Sequence, residues 1–310
     1  MTEVGRLLEE SGQAVWPPAV TRDRILLFLH LAKTAGMTLS NILLRNFTGQ
    51  HLPIDVAEIE AMAIGTWSHR NVERSLALMQ QSEIDQIRAV WGHFRHGIQS
   101  SLPKPCACVT LMRDPVDRVI SMHYWYRRAT YGDDGSGEPL EDYIRHRRHY
   151  DLWVDNYMTR VLSGSLALDF AAPGATTENW PPVTDVEFET AAKNLDDYLV
   201  VGLTDQFDET LLVLGADLHW SLSDLVYTST HVNPHPTMSD VAESVRDVIL
   251  SWNRHDAALV RRGRAHLARR IASYPGDFQK DLSLFRKLNA LFGQGVPVED
   301  LRRVECNAHA

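Results

Sequence analysis

The sequence is poor in cysteine and in long apolar runs. Its three cysteines, Cys106, Cys108 and Cys306, are few and odd in number, which argues against a disulfide framework. No Cys/His spacing matches a structural zinc site. The longest strongly apolar run, 25–31, is seven residues long and too short to span a bilayer, and the N-terminal segment lacks the basic and apolar regions of a signal peptide. We therefore expect no integral membrane segment and a cytoplasmic location.

Basic residues are also scarce relative to acidic ones. Lys and Arg total 31 against 40 Asp and Glu, which gives a formal net charge of −9. An acidic surface argues against nucleic acid as a partner. A small molecule, a lipid or a glycan remains open, and the sequence does not indicate an oligomeric state.

Apolar runs that alternate with amphipathic stretches predict the fold class. Continuous apolar character is typical of strands that are buried on both faces of a parallel sheet. We predict an α/β chain of P-loop-like, three-layer α/β/α architecture, with an N-terminal extension over 1–21 and a single domain over 22–310. Its C-terminal part, about 238–310, is predicted to be helical, with Ser239 as an N-cap. The predicted strands are 25–31, 88–92, 107–112 and 198–203.

The first chemical signal is the turn that follows the first predicted strand. Gly36 allows close backbone approach, Lys33 adds a positive charge, and Thr34 and Thr38 offer hydroxyl groups at the start of a helix, where anions are favoured. Because the Lys precedes the Gly, the segment is not a Walker A motif. The alternative interpretation is an ordinary strand-to-helix turn with one exposed Lys.

The second signal follows the strand predicted over 107–112. Arg113 stands at the carboxyl end of that strand, where α/β proteins bind ligands, and Ser121 lies about two turns into the next helix. An Arg fork and a hydroxyl can hold one phosphate together. Asp114 is a candidate N-cap, and we expect Arg118 to brace Asp114 or Asp117. The alternative is a capped helix with a surface Arg.

The two segments in this order resemble the cofactor signatures of sulfotransferases that use 3′-phosphoadenosine-5′-phosphosulfate. The likeness is greatest to the branch that contains the heparan sulfate 2-O- and 6-O-sulfotransferases and their bacterial relatives. In that family the first turn reads close to H-I-P-K-T-G-G-T-T and the second segment close to R-D-P-x-x-R-x-x-S. Similar stretches continue at 123–128, 156–164, 201–211 and 231–236.

The resemblance implies roles for individual residues. Arg113 and Ser121 would bind the 3′-phosphate of the donor, whose product is 3′,5′-adenosine bisphosphate. This sequence departs from the family pattern at Ala32, Ala35 and Met37, changes that keep the backbone amides. The residues expected to bind the 5′-phosphosulfate are Lys33, Thr34, Ala35, Gly36, Met37 and Thr38.

His93 is the candidate base for the transfer. It follows a predicted strand directly, in a Gly-His pair where the resembling family has its catalytic His. The pKa of an ordinary histidine, near 6.5, suits a base at neutral pH. His30 and His123 are predicted to be packed structural residues, and His96 either lines the acceptor pocket or is exposed.

These residues predict in-line transfer of a sulfuryl group to a hydroxyl, or to an amine, of a glycan or small metabolite. His93 would accept the proton, and Lys33 would stabilise the leaving phosphate without a metal ion. The alternatives are a P-loop-type small-molecule kinase and a non-catalytic nucleotide-binding protein. The loops 130–139 and 169–182 are candidate lids. A group of arginines near the first loop fits a solvated helix face better than a basic groove: Arg127, Arg128, Arg145, Arg147 and Arg148.

Overall fold

A parallel sheet organises the protein. The computed structural model describes residues 24–47, 69–132, 137–147, 153–165, 181–229 and 236–309. Its sheet has four strands in the order β2-β1-β3-β4, and each neighbouring pair is parallel. The strands are β1 (Ile25–Leu29), β2 (Ala89–Gly92), β3 (Cys106–Met112) and β4 (Val200–Leu203). All four predicted strands are thereby confirmed, although β1, β2 and β4 are shorter than predicted.

The central position of β1 explains its composition. Every residue of Ile25–Leu29 is fully buried, because the strand has a neighbour on each side and helices above and below. In the register, Leu29 lies opposite Gly92 of β2 and opposite Thr110 of β3. The carboxyl ends of these three strands therefore meet at one edge of the sheet.

Helices make up most of the remaining described chain. In chain order they are α1 (Gly36–Asn46), α2 (His69–Leu78), α3 (Gln81–Ile84), α4 (Pro115–Tyr131), α5 (Leu140–Arg147), α6 (Tyr157–Ser163), α7 (Asp185–Asp196), α8 (Phe207–Leu218), α9 (Glu243–Trp252), α10 (Arg254–Ala272), α11 (Phe278–Gly293) and α12 (Val298–His309).

Two glycines show that helices cover both faces of the sheet. A Cβ on Gly202 of β4 would meet Thr210 of α8 at 2.2 Å, so α8 packs on the face to which residue 202 points. Gly263 of α10 packs against Val201, which points to the opposite face because successive strand residues alternate. The predicted three-layer α/β/α architecture is thereby confirmed.

A smaller hydrophobic cluster lies apart from the main core. It joins α4, α5 and α9 through buried residues such as Val119, Ile144 and Ile249. The main cluster holds the sheet together with residues of α10, α11 and α12. The C-terminal helices thus share the core of the sheet, and the division of the chain into an extension and one domain stays a prediction.

The structure corrects one predicted helix start. Ser239 lies inside a 3₁₀ turn, Met238–Asp240, and α9 begins only at Glu243 with Ala242 as its N-cap. The turn is instead capped by Thr237, whose hydroxyl donates to Asp240.

The described helices include none that is long and apolar enough to cross a membrane.

Several predictions fall outside the described residues. The N-terminal extension 1–21 lies there entirely, as do part of the first candidate lid (133–136) and most of the second (169–180). The stretch 231–235 also lies outside them.

A buried polar junction joins the starts of α6 and α10. The Asn156 side-chain oxygen accepts hydrogen bonds from the amides of His255 and Asp256, in the first turn of α10. In return, the Asp256 carboxylate accepts from the amides of Met158 and Thr159, in the first turn of α6, at 3.0 and 2.7 Å. Each helix start is therefore capped by a side chain from the other one.

Candidate functional site

The candidate site lies at the carboxyl edge of the sheet. The chain leaves β1 into the turn 30–35, leaves β2 at His93 and leaves β3 at Arg113. Because the strands are parallel, the three predicted groups share this edge, which is where open α/β sheets bind ligands.

The turn after β1 has an unusual backbone. Lys33 and Ala35 both adopt positive φ, at 68° and 64°, which is uncommon for residues with a Cβ. Ala35 is the N-cap of α1 and has no side-chain oxygen with which to cap the helix. The first turn of α1 therefore presents amide groups and the positive end of the helix dipole, as an anion site requires.

The predicted anion-binding segment, residues 33–38, is called the cradle below. Its side chains face in different directions. Thr34 is fully buried, and its hydroxyl donates to the carbonyl of Leu31 at 2.7 Å, so its backbone amide rather than its hydroxyl is the group suited to an anion. Thr38 is also buried, whereas Met37 is 47% exposed. Gly36 is buried and begins α1.

Arg113 and Lys33 connect the two predicted segments. An Arg113 guanidinium nitrogen lies 3.4 Å from the carbonyl oxygen of Lys33, so the two motifs come together as predicted. Burial, together with the nearby positive charges of Arg113 and Arg128, lowers the pKa of Lys33 to about 8. Three positive groups therefore converge on one edge, an arrangement that a bound anion would stabilise.

One face of α4 continues this positive edge. Ser121, Trp125 and Arg128 follow one another at intervals of four and three residues, so they share a helix face. The Lys33 ammonium lies 5.8 Å from the centre of the Trp125 ring. The sequence predicted only Ser121 of these three as a ligand-binding residue and assigned Arg128 to a solvated helix face. Arg128 is instead half-buried, and its charge acts on Lys33.

His93 is oriented by a backbone hydrogen bond. Its Nδ1 lies 2.7 Å from the carbonyl oxygen of His30, and because a carbonyl only accepts, Nδ1 carries the proton. The remaining ring nitrogen, Nε2, is then the basic one. Burial is the largest cause that lowers the pKa of His93, and the charge of Lys33 adds to it, while the hydrogen bond to His30 opposes the shift. The ring is therefore neutral at pH 7.

Two other histidines have structural surroundings. His96 is partly buried, and its Nδ1 lies 3.1 Å from the Tyr198 hydroxyl. His123 is buried against Tyr143, and its Nε2 donates to the carbonyl of Glu138 at 2.9 Å. The prediction that His123 packs inside the fold is confirmed.

Tyr157 supports the turn and was not found by sequence reasoning. The Ala32 amide donates to the Tyr157 hydroxyl at 3.3 Å, and burial raises the pKa of Tyr157 to about 12, so the hydroxyl stays protonated. The resembling stretch 156–164 was the only signal for it. Its side chain reaches across from α6, which spacing along the chain does not reveal.

Arg118 has contacts that the sequence did not indicate. It is fully buried, donates to the Trp153 carbonyl, and lies with its guanidinium 4.8 Å from the centre of the Tyr157 ring. Asp114 caps α4 by accepting from the amides of Val116 and Asp117, as predicted for an N-cap. Arg118 therefore supports the start of α6, and the expected bracing of Asp114 or Asp117 by its side chain stays a prediction.

The residues present fit a donor with two anionic ends. The α1 start, with Lys33, suits one anionic group, and Arg113 with Ser121, on the adjacent strand end and helix, suits a second. Within the described ranges no three His, Cys, Asp or Glu side chains come together as a metal site. A reaction without metal ions stays a prediction.

The comparisons with known proteins give the family of the chain. A family model described as galactose-3-O-sulfotransferase matches residues 9–288. Galactose-3-O-sulfotransferase 2 of Mus musculus is 24% identical over 252 residues, which cover 77% of this chain and 59% of the relative. Galactose-3-O-sulfotransferase 3 of Bos taurus is 24% identical over 265 residues, covering 79% and 57%.

The relatives are longer than this protein. Galactose-3-O-sulfotransferase 3 of Mus musculus is 22% identical over 298 residues, which cover 87% of this chain and 65% of the relative. The chain thus spans about three fifths of the length of these relatives. The predicted family of sulfotransferases that use 3′-phosphoadenosine-5′-phosphosulfate is confirmed, whereas the heparan sulfate branch stays a prediction. The chain belongs to the galactose-3-O-sulfotransferase family.

Proposed function

We propose that this protein transfers the sulfuryl group of 3′-phosphoadenosine-5′-phosphosulfate to a hydroxyl of a galactose-containing glycan. The observation that carries this proposal is the shared sheet edge, where Arg113 meets the Lys33 carbonyl and a neutral His93 follows the neighbouring strand. Family membership and the names of the relatives support the choice of donor and acceptor.

Lys33 and the first turn of α1 would hold the reacting end of the donor. As the bond between sulfur and the 5′-phosphate oxygen breaks, its electron pair stays on that oxygen. The Lys33 ammonium and the amides of residues 34–38 would stabilise this growing charge. The cradle thus acts mainly in the transition state.

Arg113 and Ser121 would hold the other end of the donor. Contacts with the 3′-phosphate lie away from the bond that breaks, so their binding energy serves to position the sulfuryl group for in-line attack. The half-buried guanidinium of Arg113 suits this role, because it presents a rigid fork to a phosphate.

His93 would take the acceptor proton. As the acceptor oxygen forms its bond to sulfur, its proton passes to Nε2 of His93, because Nδ1 already carries a proton. The low pKa of His93 keeps Nε2 unprotonated at neutral pH. General base catalysis of this kind contributes about 10²- to 10⁴-fold in rate.

The choice of acceptor follows from the net charge and from the names of the relatives. The net charge of −9 favours a neutral glycan over a polyanionic one, and a terminal galactose agrees with the names of the relatives. A lipid or small-molecule acceptor and transfer to an amine remain alternatives. The cytoplasmic location and the absence of nucleic-acid partners stay predictions.

Donor binding is the first test. Calorimetry with 3′,5′-adenosine bisphosphate and no Mg²⁺ should show tight binding to the wild type and a loss of about 100-fold or more in Arg113→Ala, as expected for a bidentate phosphate contact. Arg145→Ala, which removes an arginine bound to Asp142 on the surface, is the matched control and should bind normally. Binding only of ATP with Mg²⁺ would instead favour the kinase.

Transfer is the second test. Incubation of the donor, labelled in its sulfuryl group, with lactose should give a sulfated disaccharide with the wild type and at least about 100-fold less with His93→Gln. If 3′,5′-adenosine bisphosphate binds tightly but a panel of glycan, lipid and amine acceptors gives no product, the non-catalytic nucleotide-binding protein is the better interpretation.

A further inference from the structure

His30 lies between the two halves of the candidate site. It is the first residue after β1, and only 7% of its surface is exposed. One side of its ring faces α1 and another side faces His93. The sequence predicted His30 as a packed core residue, which its burial confirms, but neither of these contacts was predicted.

The ring of His30 occupies the space next to Gly36. A Cβ on Gly36 would lie 1.9 Å from Cδ2 and 2.1 Å from Nε2 of the His30 ring. Gly36 is not among the residues with positive φ, so its backbone would accept an alanine. Within the described surroundings, the His30 ring is therefore what requires a glycine at the first residue of α1.

His30 also contacts His93 in two ways. The two rings stack with their centres 4.2 Å apart and their planes at 29°. The carbonyl oxygen of His30 accepts the Nδ1 proton of His93 at 2.7 Å. Side chain and backbone of one residue thus fix both the plane and the tautomer of the neighbouring ring.

A second ring, that of Phe28, also stacks on the His30 ring. Phe28 lies two residues earlier on the same face of β1, and its ring is parallel to that of His30 within 14° at 5.5 Å between centres. The His30 ring therefore packs against a fully buried residue of the central strand. A shift of His30 would move Gly36 and His93 together.

We propose that His30 is a positioning residue whose imidazole ties the start of α1 to His93, so that the anion cradle and the base keep one relative geometry. This inference rests on the proposed function, since it takes His93 as the base. His30 itself touches neither the donor nor the acceptor in this scheme. Its effect is on the alignment of the groups that do.

Paired changes of side-chain size at Gly36 and His30 test the contact between the His30 ring and α1. Gly36→Ala should weaken binding of 3′,5′-adenosine bisphosphate by about 10- to 100-fold, because the new methyl group displaces either α1 or the His30 ring. The double variant His30→Ala/Gly36→Ala should return to within about threefold of the wild type, because the space is free again. If the double variant binds as poorly as Gly36→Ala, the ring does not set the start of α1.

The contact with His93 is tested by an aromatic and an aliphatic replacement. In ¹⁵N-labelled protein, the Nδ1–H of His93 should give a slowly exchanging resonance, assigned by its loss in His93→Gln. His30→Phe keeps a ring to stack on and should keep that resonance. His30→Leu, of similar bulk without a ring, should lose it to fast exchange with water, while thermal unfolding and binding of 3′,5′-adenosine bisphosphate report that fold and cradle persist.

Kinetic measurements distinguish a positioning role of His30 from a role in which its side chain only fills space in the core. With lactose as the acceptor, His30→Leu should lower kcat by about tenfold or more and leave KM for the donor nearly unchanged, and His30→Phe should restore most of kcat. A His30→Leu variant that keeps both the resonance and kcat would reduce His30 to a core residue. Failure of the wild type to bind 3′,5′-adenosine bisphosphate would instead contradict the proposed function, and the NMR comparison would still decide the contact with His93.

Discussion

Two kinds of helix start lie within this protein. At the polar junction, the starts of α6 and α10 are capped by side chains of Asp256 and Asn156, and all of these groups are buried. At the sheet edge, α1 begins after Ala35, which has no side-chain oxygen to cap the helix, and positive side chains lie near it. A helix start is thus capped by side chains at the junction, whereas the start of α1 has no side-chain cap from Ala35.

This difference distinguishes helix starts that stabilise the fold from a helix start that is suited to bind a ligand. Closing a helix start satisfies amide groups that would otherwise be buried without partners, which stabilises the fold. Leaving one without a side-chain cap next to Lys33 and Arg113 gathers positive charge that a bound anion can neutralise. Changes at the junction should therefore affect unfolding, whereas changes at the cradle should affect binding.

The largest effect is expected at the junction. Asp256→Ala removes the carboxylate that accepts from Met158 and Thr159 and leaves their buried amides without that acceptor. We expect a loss of about 3–5 kcal/mol in the free energy of unfolding, measured in urea. Folded Asp256→Ala should still bind 3′,5′-adenosine bisphosphate. A variant of wild-type stability that has lost this binding would contradict the comparison.

The cradle should respond in the opposite way. Lys33→Met keeps an unbranched side chain, one atom shorter, and removes its charge. We therefore expect a rate of transfer lower by about 10²- to 10³-fold, as for the loss of one donor to a developing oxyanion. Its stability should equal or exceed that of the wild type, because three positive groups no longer converge. A clear fall in stability would assign Lys33 a structural role.

Proton uptake should accompany donor binding at alkaline pH. The pKa of Lys33 is lowered to about 8 in the free protein, and a bound anion should raise it again. At about pH 8.5, binding of 3′,5′-adenosine bisphosphate should take up a substantial fraction of a proton, and at about pH 7 almost none through Lys33, because it is already protonated there. Calorimetry in buffers of different ionisation enthalpy measures this number, and Lys33→Met should abolish it.

The smallest effect is expected at Ala35. Its φ of 64° lies in the left-handed region, which costs a residue with a Cβ about 1–2 kcal/mol. Ala35→Gly should therefore raise the free energy of unfolding by no more than about 1 kcal/mol, since glycine also loses more entropy on folding. Binding of the bisphosphate should stay within about threefold. A large change in affinity would show that the Ala35 side chain takes part in the cradle.

Sequence reasoning worked best where the signal was local. The apolar run 25–31 predicted a strand buried on both faces, which the structure has over Ile25–Leu29, and Asp114 before Pro115 predicted a capped helix; both are confirmed. It did less well where a distant element decides the outcome. Ser239 has the chemistry of an N-cap, but Thr237 and Asp240 close a short 3₁₀ turn there and α9 begins later.

The sequence by itself determined the broad family of sulfotransferases that use 3′-phosphoadenosine-5′-phosphosulfate, the parallel sheet and the segments that carry Lys33, Arg113 and His93. Residue type and spacing along the chain encode these strands, turns and helix starts. Only the tertiary structure decided that the His30 ring fills the space beside Gly36, that its carbonyl fixes the His93 tautomer, and that Tyr157 supports the turn from α6. Those contacts join residues from different elements. They depend on how the elements pack, which spacing along the chain does not encode.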